Sequence, residues 1–180
     1  MESKIAVVYS SCGGNTRMVA EALRGALAEA GREVRLAEVT VADDAAAREA
    51  VGAADTVLLG FWCNKGTCSD EVSALMSELA DKRVFLFGTA GFGGAPEYFE
   101  RILAGVREKL PADAAYLGGA MCQGKMGPGI RKRYEAMLAE KPGDARIQSM
   151  IDNFDAALAH PDEADLADIV AAAKEALSIR

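Results

Sequence analysis

The hydrophobic pattern switches period repeatedly along this chain, and that alternation restricts its fold more than any other feature. Lys4 to Ser10 (KIAVVYS), Asp55 to Trp62 (DTVLLGFW) and Arg83 to Thr89 (RVFLFGT) are short, nearly continuous apolar runs. Runs of this kind suit strands buried on both faces. Glu33 to Val39 (EVRLAEV) alternates and suits a sheet edge, and Ala114 to Ala120 (AAYLGGA) is a weaker fifth strand. Helical stripes lie between and after them: Val19, Leu23, Ala26, Leu27 and Ala30; Val72, Leu75, Met76 and Leu79; Phe99, Ile102, Leu103, Val106 and Leu110; Leu166, Ile169, Val170, Ala173 and Leu177. The Ala-rich VADDAAAREAVGAAD has ordinary helix-forming composition. Pro96 suits the first turn of the third stripe, and the acids of PDEADL suit the start of the last. All four stripes read as core. Strand, helix, strand in sequence requires parallel pairing with right-handed crossovers, so an α/β three-layer sandwich is expected.

With 180 residues, 51% of them hydrophobic, the chain reads as a single domain, 1–180. About forty residues, 121–160, interrupt the alternation and predict two short helices inserted before the last one. The insertion reads either as decoration or as a segment that covers a site or meets a partner. No apolar run approaches the roughly 20 residues a bilayer-spanning helix needs, and MESKIAVVYS lacks a signal-peptide pattern, so a cytoplasmic protein is expected. Four scattered cysteines read as reduced thiols. A net charge of −7 argues against general nucleic-acid binding and suits docking on a basic partner.

Ligands of an open parallel sheet bind beyond the carboxyl ends of the strands. Three loops qualify here: Ser10 to Thr16, Trp62 to Ser69 and Thr89 to Ala95. The first, SSCGGNT, joins hydroxyls and glycines to a helix start, where free N–H groups and the helix dipole favour an anion. It also reads as a simple helix start with Asn15 or Thr16 as N-cap. Trp62 reads as a core residue or as a wall of a flat ligand. Cys63 and Cys68, spaced C-x4-C, lack the second cluster or nearby His that a metal site needs. His160, the only histidine, reads as an exposed loop residue, and Arg131-Lys-Arg133 as a solvated helix face.

SSCGGNT resembles the phosphate loop of flavodoxins, usually Ser/Thr-x-Thr-Gly-x-Thr. Gly60-Phe-Trp62 followed by Asn-Lys-Gly-Thr67, Phe87-Gly-Thr-Ala-Gly-Phe92, Cys122-Gln-Gly-Lys125 and His160-Pro-Asp-Glu-Ala-Asp-Leu166 are similar to one flavodoxin branch. That branch includes flavodoxin-like proteins encoded beside bacterial bilirubin reductase. The resemblance implies a five-stranded parallel sheet in order 2-1-3-4-5 and noncovalently bound FMN. It implies an electron carrier, monomeric or weakly dimeric, working between a reductase donor and an acceptor enzyme, with no membrane or nucleic-acid partner and no catalytic or metal-ligating residue of its own. Ser10, Ser11, Cys12, Gly13, Gly14, Asn15 and Thr16 would surround the phosphate. Trp62 and Phe92 would flank the ring, with Thr89 and Ala90 beside it, and the backbone of Asn64, Lys65, Gly66 and Thr67 would meet the ring edge. Two positions depart from the family: Gly13 stands where Thr is usual, and Phe92 or a displaced Tyr98 replaces the usual Tyr.

Two other activities fit parts of the pattern. An NAD(P)H-dependent FMN or quinone reductase uses the same fold. A low-molecular-weight phosphatase also places a Cys loop after its first strand, but Cys12 to Arg17 is C-x4-R where C-x5-R is needed, and no Asp-Pro supplies a general acid. A two-component receiver domain is excluded because no acidic pair follows the first strand and no Asp ends the third.

Overall fold

Strands with apolar residues on both faces stay folded in water only if helices cover both faces. The computed structural model, which describes residues 4–93 and 95–179, has this arrangement. Five strands, β1 (Ile5–Tyr9), β2 (Val34–Glu38), β3 (Thr56–Trp62), β4 (Arg83–Ala90) and β5 (Ala115–Gln123), form one sheet in the order β2-β1-β3-β4-β5. All pairings are parallel, with Val7 beside Leu36 on one side and Leu58 on the other. The helices are α1 (Asn15–Glu29), α2 (Ala45–Ala53), α3 (Asp70–Leu75), α4 (Pro96–Arg107), α5 (Pro128–Glu140), α6 (Ala145–Ala157) and α7 (Glu163–Leu177).

Because strand side chains alternate between faces, the buried residues divide into two cores. Val8, Val57, Leu59, Phe61, Val84 and Leu86 pack under α2, α3 and α4, which contribute Val51, Val72, Leu75, Ile102 and Val106. Ile5, Val7, Tyr9, Leu58, Phe85 and Phe87 pack under α1 and α7, which contribute Val19, Leu23, Leu27, Ile169 and Ala173. Each large apolar side chain so buried contributes about 1.5–3 kcal/mol. Gly60 in β3 leaves the space that Phe87 fills, since a Cβ there would lie 2.2 Å from the Phe87 ring.

Several expectations are corrected. The Val72–Leu79 stripe is not one α-helix: α3 stops at Leu75 and a 3-10 turn runs over Met76–Leu79, where Ser77 Oγ donates back to Ala74 O at 3.2 Å. β5 continues past Ala120 to Gln123, because β4 still pairs with it as far as Ala90 and Gln123. The insertion therefore begins after that strand, and it contains two helices, α5 and α6. His160 is half-buried: its Nδ1 lies 2.6 Å from Asp165 Oδ2, beside the capping box that Asp162 and Asp165 form at the start of α7. Arg131 is not simply solvated. It grips Asp155 of α6 through Nε at 2.8 Å and Nη2 at 3.0 Å, tying the two inserted helices together. Met1 to Ser3, at the start of MESKIAVVYS, and Gly94, in the third loop, lie outside the described residues. No helix among the described residues is long and apolar enough to cross a membrane.

Candidate functional site

At the carboxyl end of the sheet, the loops after β1, β3, β4 and β5 surround a cleft of about 880 Å3. Its floor is the start of α1. Gly13 and Gly14 both have positive φ, 86° and 94°, which lets the chain turn sharply out of β1 and enter the helix. Gly14 is the N-cap and has no side chain with which to cap. Apart from the N–H of Arg17, which donates to Ser11 Oγ at 3.3 Å, the first-turn donors have no side-chain partner among the described residues. The structure also explains the departure at Gly13, since a threonine would be strained at that φ.

The side chains of the first loop divide into two groups. Cys12, Gly13 and Asn15 line the cleft. Ser10 and Thr16 turn inward: Ser10 Oγ donates to Glu71 Oε1 at 2.5 Å, and the Thr16 and Thr89 hydroxyls pair at 2.9 Å. Asn15 Nδ2 donates to the carbonyl of Lys125 at 2.8 Å, which fixes the orientation of the amide. Asn15 Oδ1 is then a buried acceptor with no partner. Glu71 titrates below the usual carboxylate range: burial pushes it up, but hydrogen bonding from Ser10, from its own backbone and from neighbouring side chains outweighs that.

The second loop makes a tight reversal. Asn64 and Thr67 exchange backbone hydrogen bonds of 2.7 and 3.1 Å, and Lys65 and Gly66 between them both have positive φ, as a primed two-residue turn requires. Trp62, Cys63, Lys65 and Gly66 line the cleft, whereas Asn64 faces a neighbouring pocket that Trp62 separates from it. Thr67 Oγ1 is buried without a partner. Burial raises the pKa values of the Cys63 and Cys68 thiols, which pack with the α2–α4 core.

The third loop supplies Thr89, Ala90, Gly91 and Phe92. The Gly91 carbonyl is held by two amides, Gln123 Nε2 and Asn153 Nδ2, each at 3.0 Å. Asn153 belongs to α6, so the insertion anchors this loop.

The fourth wall was not among the expected site residues. It consists of Gly124, Lys125, Met126, Gly127 and Pro128 after β5, with Ile130, Tyr134 and Leu158 from the insertion and Tyr98 from α4. The signal was present in the sequence: CQGKMGPG is glycine-rich and follows a strand on the same side as the other loops. Gly124 passes so close to α1 that a Cβ would lie 2.5 Å from Asn15 Nδ2. The lining contains two cations, Lys65 and Lys125, and no acid, in a chain of net charge −7. Donors for a dianion, two aromatic walls and an acid-free lining suit a flat aromatic ligand carrying a phosphate.

A phosphatase would need Arg17 over the loop. Arg17 instead pairs with Glu38 of β2 at 2.7 Å.

Residues 6–174 match the family model described as "Flavodoxin domain". The chain is 38% identical over 172 residues to a "Flavodoxin-like domain-containing protein BilS" of Clostridium symbiosum, covering 91% of this chain and 90% of that one. Oxidised flavodoxin 1 from Bacillus cereus shares the fold at a TM-score of 0.53 and 20% identity, covering 77% of this chain and 99% of that one. A flavoprotein from Lactobacillus acidophilus, solved in complex with FMN, aligns at a TM-score of 0.50 and 18% identity, covering 67% of this chain and 93% of that one.

Proposed function

Since the chain belongs to the flavodoxin family, we propose that it binds FMN noncovalently in the cleft and carries electrons between a reductase and an acceptor enzyme. The observation that carries this reading is the start of α1, opened by Gly13 and Gly14 with only the Arg17 N–H given a side-chain acceptor among the described residues, at the floor of a cleft lined by Trp62 and Phe92 and free of acids. The Lactobacillus acidophilus flavoprotein of the same fold, solved with FMN, supports the choice of flavin.

When bound, FMN supplies one- and two-electron redox chemistry; the protein binds, orients and tunes it. The N–H groups of the first loop hold the phosphate dianion, each charge-assisted bond contributing about 1.5–3 kcal/mol. Ser10 and Thr16 act from behind the loop by fixing it to Glu71 and Thr89. Trp62 and Phe92 cover the ring and keep water from it, and the Asn64–Thr67 turn presents its backbone to the ring edge. Lys65 and Lys125 offset negative charge in the cleft.

The test is titration of the purified protein with FMN. Saturable quenching of flavin fluorescence with shifted visible bands, followed by electron transfer from a flavodoxin reductase, supports the reading. A spectrum and fluorescence identical to free FMN would exclude it.

A further inference from the structure

The insertion does more than complete the cleft. Leu158, Met126 and Pro128 also line an adjoining pocket of about 390 Å3, which Phe154, Arg131, Lys132 and Glu135 complete. Five large apolar side chains are exposed among the described residues; three of them, Phe92, Ile130 and Leu158, line the cleft, and Leu158 lines the adjoining pocket as well. Exposed apolar groups that cluster around a concavity mark a binding surface. The shelf is also preformed, because the Arg131–Asp155 bridge fixes α5 against α6.

The charges on the shelf identify the kind of occupant. Between them the cleft and shelf carry four cations, Lys65, Lys125, Arg131 and Lys132, against one acid, Glu135. Lys65 and Lys125 face the cleft, and Arg131 is already paired with Asp155 and Glu135. Lys132 is exposed and takes part in no ion pair among the described residues. We propose that this shelf binds a small, apolar organic monoanion beside the flavin cleft, its apolar part against Met126, Pro128, Phe154 and Leu158 and its anionic group toward Lys132. A concavity of this size, opening onto a second one, suits a small molecule better than the flat face of a protein.

The probe is 2-naphthoate, which is apolar, planar, singly charged and redox-inert, with neutral 2-naphthamide as its control. Calorimetric titration of the FMN-loaded protein is expected to show one saturable site for 2-naphthoate without release of FMN. Lys132→Glu is expected to weaken 2-naphthoate about fivefold and 2-naphthamide hardly at all. Leu158→Asp is expected to weaken both about tenfold, and because Leu158 is 55% exposed the thermal midpoint should hold. No saturable binding, displacement of FMN by the probe, or equal affinity in wild type and both variants would overturn the proposal. Indifference to Lys132→Glu alone would overturn the anionic specificity. The same titration on flavin-free protein separates this proposal from the electron-carrier reading when it is read as the loss on Lys132→Glu, because Lys132 lines the shelf and not the cleft, and that loss should persist whether or not the cleft binds FMN.

Discussion

At the scale of single residues, position within the cleft matters more than residue type. Lys65 sits in a turn with φ 51° and lines the cleft. Reduction of a bound flavin adds negative charge to its ring, and an ammonium about 6–8 Å away at an effective dielectric near 20 contributes roughly 2 kcal/mol before salt halves it. Lys65→Glu reverses this charge and is therefore expected to lower the potential of the second one-electron step by about 90 mV, more at low ionic strength, in a redox titration. No shift at low salt would place Lys65 away from the ring. Cys12 lines the same cleft but is exposed, and the arginine a thiolate mechanism needs is bound to Glu38. Cys12→Ser should change FMN affinity by less than about threefold, and neither protein should hydrolyse an aryl phosphate; turnover lost on substitution would establish the phosphatase. Gly13, Gly66, Trp62 and Phe92 of the cleft lining were legible in the sequence, whereas Gly124, Gly127 and Tyr134 were not expected there. The destinations of the Ser10 and Thr16 hydroxyls were not, because their partners, Glu71 and Thr89, lie 61 and 73 positions away.

At the scale of elements, continuous apolar runs announced β1, β3 and β4, and the alternation in Glu33 to Val39 announced an edge. Period fails where an element's partner decides its length. β5 runs on to Gln123 because β4 offers paired backbone that far, and the Val72 stripe is divided into α3 and a 3-10 turn. The insertion was legible as two helices, but the choice between decoration and covering a site was not, since α5 buries only Tyr134 and shows no strong apolar face. Its link to the third loop is the pair of amides on the Gly91 carbonyl. Asn153→Ala should remove one of these at a cost of about 1 kcal/mol in denaturant stability and weaken FMN severalfold, as the Phe92 loop loosens. Unchanged affinity would mean that Gln123 alone holds the loop.

At the scale of the whole molecule, the net charge of −7 and the acid-free cleft belong together. With its acids outside the cleft lining, the chain leaves an anionic ligand facing two cations, Lys65 and Lys125, at the one place where it is to be held. The doubly wound sheet supplies the geometry, because it brings four loops to one edge and the first of them to a helix start. If the account is right, affinity comes chiefly from the phosphate held at that helix start. The direct test compares the dissociation constants of FMN and riboflavin by fluorescence quenching under identical salt. Riboflavin is expected to bind at least about a hundredfold more weakly; equal affinities would contradict the account.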